Sequence, residues 1–210
     1  MTVIAIIIQL AILLFSAILH EIAHGAVAEH FGDDTARRSG RISLNPIVHI
    51  DPYFTILIPL LLVLSGSPVI FGAAKPVPVN YNNLRNFRWG VFWVSIAGIL
   101  TNLFIAFIFA LPLRFFTVAP VVHDLFYLIA EINIFLAIVN MIPIPPIDGS
   151  KVLAALLGEN TIEAIMRIEM RGLLGVLPFL IIIYFLFSSG GFVRVMIPVA
   201  NFFFRLFGIA

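Results

Sequence analysis

Residues 2–31, TVIAIIIQLAILLFSAILHEIAHGAVAEHF, decide how this chain reads. From Thr2 to Leu19 the polar side chains are Thr2, Gln9 and Ser16 alone, and an apolar stretch of this length suits a membrane-crossing helix. His20-Glu21-Ile22-Ala23-His24 follows without a break. Ionisable side chains at that depth are costly, so three together call for a function. Four residues apart on a helix, His20 and His24 project from one face and can grip one metal ion. Glu21 is offset enough to face the ion's open position instead of ligating it. Given five histidines and six glutamates in 210 residues, chance would produce the pattern only roughly 0.003 times in such a chain.

The rest of the chain has the same character. It is 61% hydrophobic and 11% charged, against roughly 25% charged for soluble domains. The expected fold is an all-α polytopic membrane protein of five or six transmembrane helices, forming one integral-membrane domain over residues 1–210. A net charge of +1 leaves no basic surface for nucleic acid, and no cysteine is present to form disulfides, thiolate metal sites or a thiol nucleophile. The amino terminus lacks a basic leader and a small-residue cleavage site, so it reads as a retained span.

Candidate spans are Val3 to Phe31, Trp89 to Phe116, Val121 to Ile142 and Leu173 to Phe187. Tyr53 to Phe71 is apolar but interrupted by Pro59, Gly66 and Pro68, as a re-entrant or broken segment would be. Phe192 to Ile209 carries Arg194, Asn201 and Arg205 on one helical face and could lie in the membrane interface. Gly40 to Leu44 and Lys75 to Asn80 read as a small β element, the latter an edge segment stiffened by Pro76 and Pro78. Basic residues cluster at 37–41, 75–88 and 151–171, which puts those three loops on the cytoplasmic side and the amino terminus outside. That parity holds only if Tyr53 to Phe71 enters and leaves by one face.

A catalytic zinc ion normally takes three protein ligands, so the histidine pair needs a third. His30, His49, His123, Glu131 and Asp148 are candidates. The first three lie at or beyond predicted membrane boundaries, and His49 reads as a loop-ordering residue. Asp148 ends Asn140-Met141-Ile142-Pro143-Ile144-Pro145-Pro146-Ile147-Asp148-Gly149, where an apolar span breaks into proline-stiffened extended chain. Unwound backbone at membrane depth is tolerated only beneath protein or beside water, which suits a ligand carried on a rigid segment. With Tyr53 to Phe71 re-entrant, Asp148 and His24 reach the same face.

Together, a His-Glu-x-x-His first span and a later asparagine- and proline-rich stretch ending in Asp-Gly resemble the site-2 protease family of intramembrane zinc metalloproteases. RISLNPIVHIDP (41–52) and FGAAKPVPVN (71–80) resemble loops of its short, single-domain prokaryotic members. The likeness runs to about residue 156, making 1–156 the expected catalytic core and 172–210 a pair of carboxy-terminal helices. By this resemblance, His20, His24 and Asp148 hold Zn2+ and Glu21 is the catalytic acid/base. The family's alanine-glycine-proline-x-x-asparagine signature reads Ala97-Gly98-Ile99-Leu100-Thr101-Asn102, with isoleucine in place of proline. Asn102 and Asn140 are candidate donors to the oxyanion of the tetrahedral intermediate.

The expected activity is hydrolysis of peptide bonds in or near transmembrane helices of membrane-protein substrates in the lipid bilayer. The substrate helix would first unwind, and Arg41 to Leu44 or Pro76 to Val79 could pair with it as an added strand. The expected location is a prokaryotic cell membrane with the active site toward the cytoplasm. The rival readings are a metal transporter and a catalytically silent zinc-binding scaffold. A transporter usually needs polar groups through the bilayer, of which only Glu131 offers a trace, and a silent site would not require Glu21.

Overall fold

The computed structural model describes residues 3–65, 74–172 and 190–209, with 175, 177, 181, 182 and 185 between the last two stretches. The expected span at Leu173 to Phe187 therefore lies mostly outside the described residues. The described architecture is helical: α1 (Val3–His30), α2 (Thr35–Arg38), α3 (Ile58–Leu64), α4 (Phe87–Phe115), α5 (Pro120–Asn140), α6 (Asp148–Leu157), α7 (Glu159–Glu169) and α8 (Gly191–Phe207). Of these, α1, α4 and α5 are long and apolar enough to cross a membrane.

Helix α1 is apolar all round, so its packing face is marked by size and polarity, not by hydrophobicity. Ser16, His20, His24 and Ala28, four residues apart, are buried along one side. Helix α4 answers with Val91, Val94, Ser95, Gly98, Asn102, Ala106 and Ala110, a stripe dominated by small residues. In lipid no hydrophobic force drives helices together, and small side chains let backbones approach closely enough for packing and hydrogen bonds to do so. Asn133 on α5 adds such a bond, its Nδ2 donating to Ser16 Oγ at 2.9 Å. The isoleucine at position 99 leaves α4 unbroken from Phe87 to Phe115.

The apolar block after residue 50 is described as far as residue 65. Its first part is a single π-type segment, Pro52–Leu57, continued by α3. Residues 52–64 make about 20 Å of helix at ~1.5 Å per residue, short of a ~30 Å hydrocarbon core. The His49 carbonyl accepts a hydrogen bond from Lys75 N at 2.7 Å, so the chain leaves and returns at one place.

The expected β element has no counterpart among the described residues: 40–44 and 75–80 are extended or bent without a strand ladder. Composition explains this. Pro76 and Pro78 have no N–H to give, Val77 N donates to Glu21 and Asn80 N to Asp33.

Helix α8 packs lengthwise on α5, the two running antiparallel. Phe204 stacks on Tyr127 near the start of α5, while Val195, Met196 and Val199 meet Ile138, Met141 and Pro143 at its end. Met196, Ala200, Phe204 and Phe207 are buried with Ala130, Ile134 and Ile138, so this helix has a tertiary partner over its length.

Candidate metal centre

His20 and His24 reach the α4 side of α1 because they share its buried stripe. The His24 Nδ1–H donates to the Val94 carbonyl at 2.7 Å, which leaves Nε2 as a free lone pair. His20 lies flat against Gly98: a Cβ built there would fall 2.4 Å from the ring Cε1 and 2.6 Å from both ring nitrogens. Any larger residue at 98 would occupy the space of the ring.

Asp148 arrives from the other end of the sequence as the first residue of α6. The turn before it carries a cis peptide between Pro145 and Pro146. Gly149 lets the new helix sit on the chain it has just left, since a Cβ there would be 2.4 Å from the Met141 carbonyl oxygen and 2.6 Å from that of Ile142. At its far end, α6 is capped by Arg88 of α4, which donates from Nε to Ala155 O at 2.6 Å and from a terminal nitrogen to Leu156 O at 2.8 Å. The helix dipole so oriented favours an anion at Asp148 and a cation at Arg88.

Three atoms converge as a result. His20 Nε2 and His24 Nε2 are 3.0 Å apart, and Asp148 Oδ2 is 3.1 Å from the first and 3.2 Å from the second. Both imidazoles are buried, and among the described residues the carboxylate oxygen faces only these two ring nitrogens. Lone pairs gathered this closely away from water repel unless a cation or proton lies among them. Two imidazole nitrogens and one carboxylate oxygen form a zinc-type donor set. Their separations approach the ~3.3 Å between ligands of a tetrahedral ion with ~2.0–2.1 Å bonds. The residues therefore fit a zinc ion.

Of the other expected residues, Glu21 is next to His20 but turned to the loop, where its Oε2 accepts from Val77 N at 2.7 Å. Asn102 lies one turn beyond Gly98 on α4, fully buried, and both of its polar atoms lack a partner among the described residues. Asn140 instead ties its Nδ2 back to Leu136 O of its own helix at 2.9 Å. His49 is buried with Nε2 against Ser43 O at 2.8 Å, as a loop-ordering residue would be. His123 is exposed beside Asp124.

Several supports were not evident in the sequence. Val94 contributes a carbonyl, which no side chain advertises. Lys151, read as a topology signal, is buried and paired with Glu169 of α7 at 2.5 Å. Asp33, just past the end of α1, is fully buried. It accepts from Asn80 N at 2.7 Å and Asn83 Nδ2 at 2.9 Å, and also from Thr35, thereby tying the end of α1 to the 74–83 segment. Burial alone would push its carboxyl up. The bonds from Thr35, Asn83 and Asn80 outweigh that and hold it below the ordinary carboxylate value.

The comparisons with known proteins bear on the family of the chain. The profile of peptidase family M50 matches residues 117–185. YwhC of Bacillus subtilis (strain 168), which carries a zinc-metalloprotease name, is 36% identical over 169 residues, 76% of this chain and 74% of that one. Rip2 of Mycolicibacterium smegmatis, named in the same way, is 28% identical over 173 residues, 80% of this chain and 64% of its own length. MJ0611 of Methanocaldococcus jannaschii, also so named, is 42% identical over 60 residues, 29% of this chain and 31% of that one. No solved structure matches. The chain belongs to peptidase family M50, the site-2 protease family of zinc metalloproteases. It is an integral membrane protein and its cofactor is zinc.

Proposed function

We propose that this metalloprotease cuts membrane-protein substrates within or beside their transmembrane helices, with His20, His24 and Asp148 holding the zinc ion and Glu21 as acid/base. One observation carries the reading: two buried imidazoles from an apolar, membrane-length helix converge with a carboxylate 124 positions beyond the second of them, all three ligand atoms within 3.0–3.2 Å of one another. When bound, zinc polarises the scissile carbonyl and makes water acidic enough to ionise near neutral pH. Glu21, adjacent to His20, takes the proton of the attacking water and hands it to the leaving amine. Asn102, buried with its amide unpaired among the described residues, is the better placed oxyanion donor, since the Asn140 amide is already given to Leu136. One such donor is worth ~3 kcal/mol.

The same reading covers topology. A re-entrant course for Tyr53 to Phe71 is supported by the bond from Lys75 N to His49 O, which brings the two flanks of that block together. Helices α1, α4, α5 and α8 are spans of a single domain whose core is 1–156; the span expected at Leu173 to Phe187 lies mostly outside the described residues. The basic loops then put the active site toward the cytoplasm, and bacterial and archaeal relatives point to a prokaryotic cell membrane. A peptide bond inside a helix is shielded by the turns around it, so the substrate helix must partly unwind before cleavage.

The deciding experiment uses purified wild type and Glu21→Gln, assayed for zinc and for cleavage of a mixed pool of single-span proteins. Retained zinc with lost cleavage is expected. Cleavage by the variant at the wild-type rate would refute the role of Glu21, and zinc binding with no cleavage by either would point to a non-proteolytic zinc protein.

A further inference from the structure

The sequence around Val77 singles out one main-chain donor. In Pro76-Val77-Pro78 the flanking residues have no N–H, so Val77 carries the only amide hydrogen of the three. It points at Glu21 Oε2, 2.7 Å away and 56 residues earlier. The Val77 side chain is seated as closely. A Cβ built on Gly25 would lie 2.9 Å from Val77 Cγ1 and 2.9 Å from Ala36 Cβ. Gly25 follows Glu21 by four residues, so both lie on one face of α1. Val77 therefore straddles that face, its side chain against the glycine and its amide on the carboxylate one turn before. Outside this contact the segment is pinned at both ends. Lys75 N is bonded to His49 O at 2.7 Å, and Asn80 N to Asp33 Oδ2 at 2.7 Å. Arg41 adds a longer bond to Pro76 O at 3.3 Å.

We infer that Val77 is a positioning residue for the acid/base: its amide fixes one oxygen of Glu21, leaving the other to exchange protons with water and the leaving amine. A carboxylate free to rotate would present either oxygen, or neither, to the water. A main-chain donor held by two prolines, Gly25 and the Asp33 anchor removes that freedom before substrate arrives. This role rests on the proposed function of Glu21. It differs from strand pairing with substrate, because the N–H in question already has a partner.

The test separates the two through kinetics. Gly25→Ala should push Val77 off the helix, and Val77→Pro should remove the donor while keeping the segment extended. Each is expected to lower kcat roughly ten- to hundredfold, the span of one hydrogen bond to a charged group, with KM and zinc content near wild type. The triple variant Gly25→Ala/Ala36→Gly/Val77→Ala keeps the amide and removes both obstructing carbons, and it should recover most of kcat. Wild-type kcat in both Gly25→Ala and Val77→Pro would overturn the inference. So would a rise in KM at constant kcat, which would make the segment a substrate-docking strand. Loss of zinc in both variants, or no recovery in the triple variant, would likewise overturn it by making the contact merely structural. Failure of the underlying reading looks different: Glu21→Gln would then cleave as well as wild type, whatever Val77 does.

Discussion

Replacing Gly98 with alanine sets two effects in opposition. Position 98 is interior to α4, where alanine is favoured over glycine by ~1 kcal/mol, so local helix stability should rise. The added methyl carbon, however, would fall 2.4–2.6 Å from three atoms of the His20 ring. Non-bonded contacts between such atoms settle near ~3.5 Å, so the ring must retreat by about 1 Å. His20 Nε2 sits 3.0 Å from His24 Nε2 and 3.1 Å from Asp148 Oδ2, a spacing that leaves no slack of that size around bonds of ~2.0–2.1 Å. Altering a residue outside the ligand set typically costs ~10–100-fold in metal affinity. Because the displacement removes a ligand outright, Gly98→Ala should weaken zinc binding by more than ~100-fold. Helical circular dichroism should stay at or above the wild-type level. The assay is zinc content by mass spectrometry, with affinity measured by chelator competition in detergent. Wild-type affinity in a folded Gly98→Ala protein would refute the argument that this glycine exists to admit the ring.

Gly149→Ala should also lose zinc, but with a drop in melting temperature, because its methyl group would meet the Met141 and Ile142 carbonyls instead of a side chain that can turn away. Normal zinc content in that variant would show that α6 can shift without moving Asp148. Lys151→Met leaves Glu169 without its partner and should lower the melting temperature, while Lys151→Met/Glu169→Leu should recover much of the loss; equal melting temperatures for the two would argue against a coupled pair. Asp33 has a folded pKa below its ordinary 3.8, so its contribution is complete above that value and is lost as pH falls through the folded pKa. Asp33→Asn should therefore melt well below wild type at pH 7, with the gap closing in acid; a gap independent of pH would refute the assignment.

Much of the site was legible because its chemistry conflicts with its surroundings. Histidines and an acid inside an apolar helix stand out against lipid, and an acid after a run of prolines marks an unwound ligand segment. The membrane character followed from composition alone. Less could be read where the partner is main chain. The Val94 carbonyl that orients His24 and the Val77 amide on Glu21 leave no trace in residue type. The 75–80 segment illustrates the same limit: it reads as an edge strand, yet its Val77 and Asn80 donors turn inward to Glu21 and Asp33. Lys151 misled for a related reason, since a lysine in a polar stretch looks like a surface charge until Glu169 closes over it.

By itself, then, the sequence determined the solvent this protein lives in and offered the candidate ligands of a metal centre with the helix that carries two of them, because burial energies and side-chain chemistry are properties of residues. Only the tertiary structure decided that Asp148 meets that helix, that the two flanks of the 50–74 block come together, and that glycines at 25, 98 and 149 mark close approaches. Those are matters of distance between parts of the chain far apart in order, and they are set by which small surfaces can touch.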